Sequence, residues 1–166
     1  VNHNKLGFIN ILLLPLSLIF FILSSLKRWL YRVGIFKVNH SSVPVVVVGN
    51  VTAGGTGKTP IVIEIANYFA SQNKKVGVVS RGYGGNYTQE SLEVTHLSNP
   101  RECGDEPVLI AQHTNANVVV ATKSRKAVKL LTNNYNLDII ISDDGLQHYS
   151  MGRDLEIAVV EGFNRF

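Results

Sequence analysis

The chain is poor in cysteine, in charge and in acid. A single cysteine, Cys103, among 166 residues leaves no intramolecular disulfide framework and points to a reducing compartment. Charged residues make up only 17%, with 16 Lys and Arg against 12 Asp and Glu, for a net charge of +4. So mild a basic excess suits an anionic ligand or surface without choosing between them. No internal repeat or low-complexity tract is present, which excludes a solenoid or propeller array. The first residue is Val rather than Met, so the sequence reads as a fragment or as the product of a non-standard start codon.

Residues 6–26, LGFINILLLPLSLIFFILSSL, carry no charge at all, and about 20 apolar residues span a bilayer. Pro15 within them is better tolerated in a membrane helix than in a soluble one. Lys27, Arg28, Arg32 and Lys37 follow, and only Lys5 precedes, so the positive-inside rule places the remainder in the cytoplasm. Trp29 and Tyr31 fall where interfacial aromatics are expected. A cleaved signal peptide lacks its small-x-small site here, and a core helix would show a polar face. Residues 1–40 are therefore expected to form a membrane anchor, spanning or partly embedded, with a basic juxtamembrane segment. Residues 41–166 are expected to form one further domain.

That domain alternates strand and helix signals. Residues 43–48 are a β-branched run of the kind buried on both faces of a sheet. A covering helix is expected over 59–71, a strand over 76–80 and a glycine-rich basic loop over 81–86. A short helix follows over 105–113, then a strand over 117–121 and a helix over 123–133 that is basic on one side. Strands over 138–142 and 155–160 complete the pattern. Alternation of this kind predicts βαβ units and a mainly parallel sheet, with ligands beyond the carboxyl ends of its strands. The Gly82-Tyr83-Gly84 stretch is no dinucleotide fingerprint, because Tyr87 stands where its third glycine belongs.

The sharpest signal is Thr52-Ala53-Gly54-Gly55-Thr56-Gly57-Lys58-Thr59, between the first strand and the first helix of the domain. Strand, glycine-rich loop and Gly-Lys-Thr opening a helix are the setting of a phosphate-binding P-loop. Small residues let the backbone N–H groups turn inward around phosphate oxygens, and the helix N-terminus adds free donors and partial positive charge. Lys58 would reach the β- and γ-phosphates, and Thr59 would ligate Mg²⁺. Thr52 stands where the usual pattern has its first glycine. Ala53 occupies the position of the signature lysine of MinD-like ATPases, which argues against that class. A nucleotide site belongs in the cytosol, so the glycosylation sequons at 39–41, 50–52 and 86–88 read as chance.

Asp143-Asp144-Gly145 closes an apolar strand, the expected place for a metal-holding carboxylate beside a P-loop. Asp143 is the metal candidate, with Asp144 facing the acceptor; the plainer reading is a solvated turn. His148 could join the site or lie on the surface. Asp105, in Gly104-Asp105-Glu106-Pro107, is either a helix N-cap or the carboxylate that takes the acceptor hydroxyl's proton. Arg81 either binds an anionic substrate group or the transferring phosphoryl, or is a plain surface arginine.

Together these motifs resemble the tetraacyldisaccharide 4'-kinases, the lipid A 4'-kinases of Gram-negative bacteria. The likeness runs in order through Arg28-Trp29-Leu30-Tyr31, Gly49 to Pro60 with its Thr52, Ser80-Arg81-Gly82-Tyr83-Gly84-Gly85, Gly104-Asp105-Glu106-Pro107 and Asp143-Asp144-Gly145-Leu146-Gln147-His148. It implies an α/β, P-loop NTPase-like, mainly parallel sheet with flanking helices, preceded by a membrane-anchoring helix. It further implies transfer of the ATP γ-phosphate to the 4'-hydroxyl of a tetraacyl disaccharide 1-phosphate held in the bacterial inner membrane. Lys58 and Thr59 would act on ATP and Mg²⁺, Asp105 would be the catalytic carboxylate, and Asp143 and Asp144 would surround metal and acceptor. Nucleic acid and protein partners are not implied. Family members are about twice this long, with a second lobe that closes over the site, so an N-terminal fragment is expected that binds nucleotide weakly and does not turn over. The rival readings are a membrane-tethered P-loop NTPase driving a protein partner, a catalytically dead nucleotide-binding module and a soluble metabolite kinase.

Overall fold

The computed structural model describes residues 8–50 and 57–160. The chain divides into two units, Val1–Val38 and Asn39–Phe166. The first holds one long helix, α1 (Phe8–Arg32). From Leu13 to Arg32 it is long and apolar enough to cross a membrane, with a mean hydropathy of 1.5 and nothing buried. Phe20, Phe21 and Leu23 stand 60–74% exposed. An apolar surface all round a helix is stable only inside a core or a membrane. Pro15 lies inside the helix, and Tyr31 stacks edge-on against Phe36 at 5.2 Å just beyond it.

The second unit is a six-stranded sheet in the order β3-β4-β2-β5-β1-β6. Its strands are β1 (Val45–Asn50), β2 (Val76–Ser80), β3 (Ser91–Val94), β4 (Asn117–Ala121), β5 (Ile139–Asp143) and β6 (Leu155–Val159). All neighbours pair in parallel except β3, which runs antiparallel to β4. Among the described residues four further helices flank them: α2 (Lys58–Ser71), α3 (Pro100–Cys103), α4 (Asp105–His113) and α5 (Ser124–Asn134).

The β-branched runs explain the layering. Side chains alternate across a strand, and the valines of β1 divide accordingly. Val46 and Val48 join Val62 and Ala66 of α2 and Val108 and Ile110 of α4 in one core. Val45 and Val47 join Ala127, Val128 and Leu131 of α5 in the other. The sheet is thus covered on both faces, which is why its central strands read as continuous apolar runs rather than alternating ones.

Boundaries move by one or two residues for local reasons. β1 starts at Val45 rather than at residue 43 because Pro44 has no N–H to give the ladder; its carbonyl still accepts from the Ile140 N–H at 2.9 Å. Asp138 lies before β5, where its carboxylate accepts from the Lys75 N–H at 2.8 Å. Two elements carry no sequence expectation. β3 is a four-residue edge strand held by its pairing to β4. α3 is a single turn capped by Asn99, whose side-chain oxygen accepts from the Arg101 N–H at 3.1 Å.

Candidate active site

The carboxyl ends of β1, β2 and β5 converge on an open cleft of about 730 Å³, lined by Gly57, Lys58 and Thr59 from one side and Arg81, Glu106 and Asp144 from the other. That volume lies within the usual range for small-ligand sites. Gly57 enters α2 at φ 73, a left-handed conformation that glycine takes without penalty. The turn sets Lys58 at the first helical position and buries Thr59 beside it. Thr52, Ala53, Gly54, Gly55 and Thr56, expected to bind nucleotide, lie outside the described residues.

Asp143 and Asp144 are separated by geometry. Asp143 ends β5 opposite Val48 of β1, and only 2% of it is exposed. The chain then turns through Asp144 at φ 56, a left-handed conformation that Asp adopts more readily than most residues. That turn delivers the Asp144 carboxylate to the Lys58 ammonium, Oδ1 to Nζ 2.6 Å. The Asp144 side chain is 45% exposed, so the pair contributes less than about 1 kcal/mol. So weak a pair can be exchanged for an incoming phosphate at little cost.

Asp143 is the electrostatically strained group. Its pKa is pushed up to about 7, first by burial, then by the nearby Glu106 charge; Lys58 opposes the rise and Asp144 adds to it. Among the described residues its Oδ1 has no hydrogen-bond partner, and neither has the Ser142 hydroxyl. An orphaned buried carboxylate oxygen is expensive to maintain unless something binds it. A hard divalent cation fits this donor. No group of three or more acidic, His or Cys side chains among the described residues could hold an ion by itself. Mg²⁺ does not need one, because it takes one or two protein oxygens and completes its shell with phosphates and water.

Arg81 extends from a loop that is braced rather than loose. Gly82 (φ 63) and Gly104 (φ 90) bring the 81–86 loop and the start of α4 together backbone to backbone. A methyl on Gly82 would lie 2.7 Å from the Cys103 carbonyl oxygen, and one on Gly104 2.7 Å from that of Tyr83. The Asn86 N–H donates to the Arg101 carbonyl at 3.1 Å, and the Tyr87 hydroxyl to the Arg81 carbonyl at 2.9 Å. The two glycine motifs, distant in sequence, are therefore halves of one structure.

The N-cap reading of Asp105 does not hold. Gly104 is the N-cap of α4, and Asp105 is the first helical residue, with no capping hydrogen bond from a side chain. Asp105 and Glu106 both occupy the first turn, where negative charge suits the helix dipole. It is Glu106, not Asp105, that lines the cleft. Sequence reasoning gave Glu106 no role, although it stands next to the residue chosen. It also missed Arg153, which braces the segment after Asp144. The Arg153 guanidinium donates to the carbonyls of Leu146 (3.2 Å) and His148 (2.6 Å) and to the Glu156 carboxylate (2.6 Å). An arginine nine residues past an acidic turn carries no motif, so only the folded chain displays it.

Comparison with known proteins fits this geometry. The family model for LpxK, tetraacyldisaccharide-1-P 4'-kinase, matches residues 9–166. The tetraacyldisaccharide 4'-kinase of Ruthia magnifica subsp. Calyptogena magnifica is 55% identical over 100% of this chain and 53% of its own length. That of Mannheimia succiniciproducens is 46% identical over 93% of this chain and 48% of its own. Among solved structures, the "apo" form of LpxK from Aquifex aeolicus in complex with ATP is 33% identical. It superposes with a TM-score of 0.79 over 88% of this chain and 47% of its own. The chain spans about half the length of the curated relatives it matches. With the family's pattern running through nearly all of its residues, the chain belongs to the LpxK family, the tetraacyldisaccharide-1-P 4'-kinases.

Proposed function

We propose that this chain supplies the nucleotide-binding half of an enzyme that moves the γ-phosphate of ATP to the 4'-hydroxyl of a tetraacyl disaccharide 1-phosphate in lipid A biosynthesis. The observation that carries the reading is the meeting of Lys58 with Asp144 at 2.6 Å, beside a buried Asp143 whose Oδ1 has no hydrogen-bond partner among the described residues. Family membership supplies the acceptor, and the relative from Aquifex aeolicus was crystallised with ATP.

In this reading Lys58 leaves Asp144 for the nucleotide phosphates, and the 52–59 loop with the α2 N-terminus cradles them. Thr59 and Asp143 would hold Mg²⁺, which when bound spreads the charge developing on the phosphate oxygens. Released from Lys58, Asp144 faces the acceptor. On the family resemblance, Asp105, which stands beside the cleft-lining Glu106, takes the proton of the attacking hydroxyl as that hydroxyl's oxygen bonds to phosphorus and ADP leaves. Arg81 holds an anionic group of the glycolipid, and α1 keeps the protein at the cytoplasmic face of the bacterial inner membrane, where that lipid resides.

The test is genetic rescue. Cells depleted of their own 4'-kinase should regain growth when given the whole gene, and Lys58→Ala should not restore it. An Asp105→Asn and Glu106→Gln pair then assigns the proton acceptor. Loss of kcat by at least a hundredfold in Asp105→Asn alone supports the assignment; the same loss in Glu106→Gln alone transfers the role to Glu106. Rescue by Lys58→Ala would overturn the proposal.

A further inference from the structure

A second concavity lies on the α5 side of the sheet and shares no lining residue with the cleft. It holds about 510 Å³ between the 39–42 segment and α5, over Met151 and Gly152. Arg125, Lys126 and Lys129 project from α5, His40 stands opposite, and no Asp or Glu lines the groove. α5 itself has no acidic residue. Lys126 is paired with Glu90, but among the described residues no carboxylate bridges Arg125 or Lys129. Ser41, Ser42 and Thr132 add hydroxyls, and Val128 and Met151 supply apolar surface.

We propose that this groove binds the phosphate headgroup of an anionic bilayer lipid, separately from the substrate site. Two facts choose this occupant. The chemistry is amphipathic: unpaired cations and hydroxyls sit beside buried apolar side chains, which suits a phosphodiester joined to a glycerol backbone. The second fact is covalent. The groove wall begins at Asn39, seven residues after Arg32 ends α1. An extended chain covers at most about 3.5 Å per residue, so whatever their orientation the groove stays within about 30 Å of the end of α1. Lys27, Arg28 and Arg32 lie toward the end of α1 and Lys37 on the tether, and basic residues near an anionic leaflet draw the chain toward it. The inference rests on the reading of α1 as a membrane helix, and not on the kinase chemistry.

The experiment is hydrogen–deuterium exchange on the full protein in nanodiscs of phosphatidylcholine alone, or of phosphatidylcholine and phosphatidylglycerol in equal parts. Co-elution with either disc reports α1 separately, so failure of the anchor is distinguishable from failure of the groove. The proposal expects slower exchange over 39–42 and 124–132 in the anionic discs, with apparent affinity falling about fivefold for each cation removed in Arg125→Gln and Lys129→Gln. Exchange over β2 and β5 reports whether either variant still folds. Equal protection in both disc types overturns the proposal, because the groove is then covered by something other than anionic lipid. So does the same protection from inorganic phosphate added to the zwitterionic discs, which makes it a small-anion site.

Discussion

Asp143→Asn should stabilise the metal-free protein at alkaline pH while destroying its use of metal. The wild-type carboxyl rises from an ordinary 3.8 to about 7 in the folded chain. Between about pH 4 and pH 7 the folded state therefore holds a proton that the unfolded state has lost. Stability falls as pH rises through that window, and the loss is complete above the folded pKa. Roughly three pK steps at about 1.4 kcal/mol each make a penalty of order 4 kcal/mol at pH 8. Asparagine removes the charge but still buries an amide, which gives back about 1–3 kcal/mol. The expected net gain is about 1–3 kcal/mol at pH 8, turning to a loss near pH 4. The assay is urea unfolding of both proteins in EDTA across pH 4–8.5, followed by pulse proteolysis because Trp29 lies in α1. The difference between variant and wild type should climb by roughly 1.4 kcal/mol per pH unit and flatten above pH 7. A difference that does not change with pH would refute the account of Asp143 as a carboxylate held against its own burial.

Lys58→Ala should abolish measurable ATP binding by calorimetry yet shift unfolding by less than about 1 kcal/mol, because its ion pair with Asp144 is open to solvent on the Asp144 side. Arg153→Met should lose about 2 kcal/mol from hydrogen bonds to two carbonyls, with faster amide exchange over 145–151 as the local signature. Gly104→Ala places a side chain at φ 90 and against the Tyr83 carbonyl. It should cost at least about 2 kcal/mol in thermal unfolding and loosen the 81–86 loop.

The central strands were legible because a sheet covered on both faces needs apolar side chains in both directions, and Val45–Val48 and Ile139–Ile141 supply them without interruption. β3 was not, because Ser91–Val94 has no such run and gains its order from pairing with Val118–Ala121. At the site, motif order placed Lys58, Arg81 and Asp144 around one cleft. Which acid of each pair faces that cleft depends on backbone angles: φ 56 at Asp144 turns its carboxylate toward Lys58, and the first turn of α4 presents Glu106. Neither angle is written in a motif. The bracing by Arg153 is a tertiary contact to main-chain carbonyls, which any arginine at any spacing could make.

The most direct test of the central claim is phosphate transfer from γ-labelled ATP to purified tetraacyldisaccharide 1-phosphate, with Mg²⁺ and detergent. The whole gene product and the 166-residue chain would run side by side, each with Lys58→Ala. The account predicts label on the lipid from the whole product, none from its Lys58→Ala form, and none from the 166 residues alone. ATP hydrolysis by the whole product without any label on the lipid would contradict it.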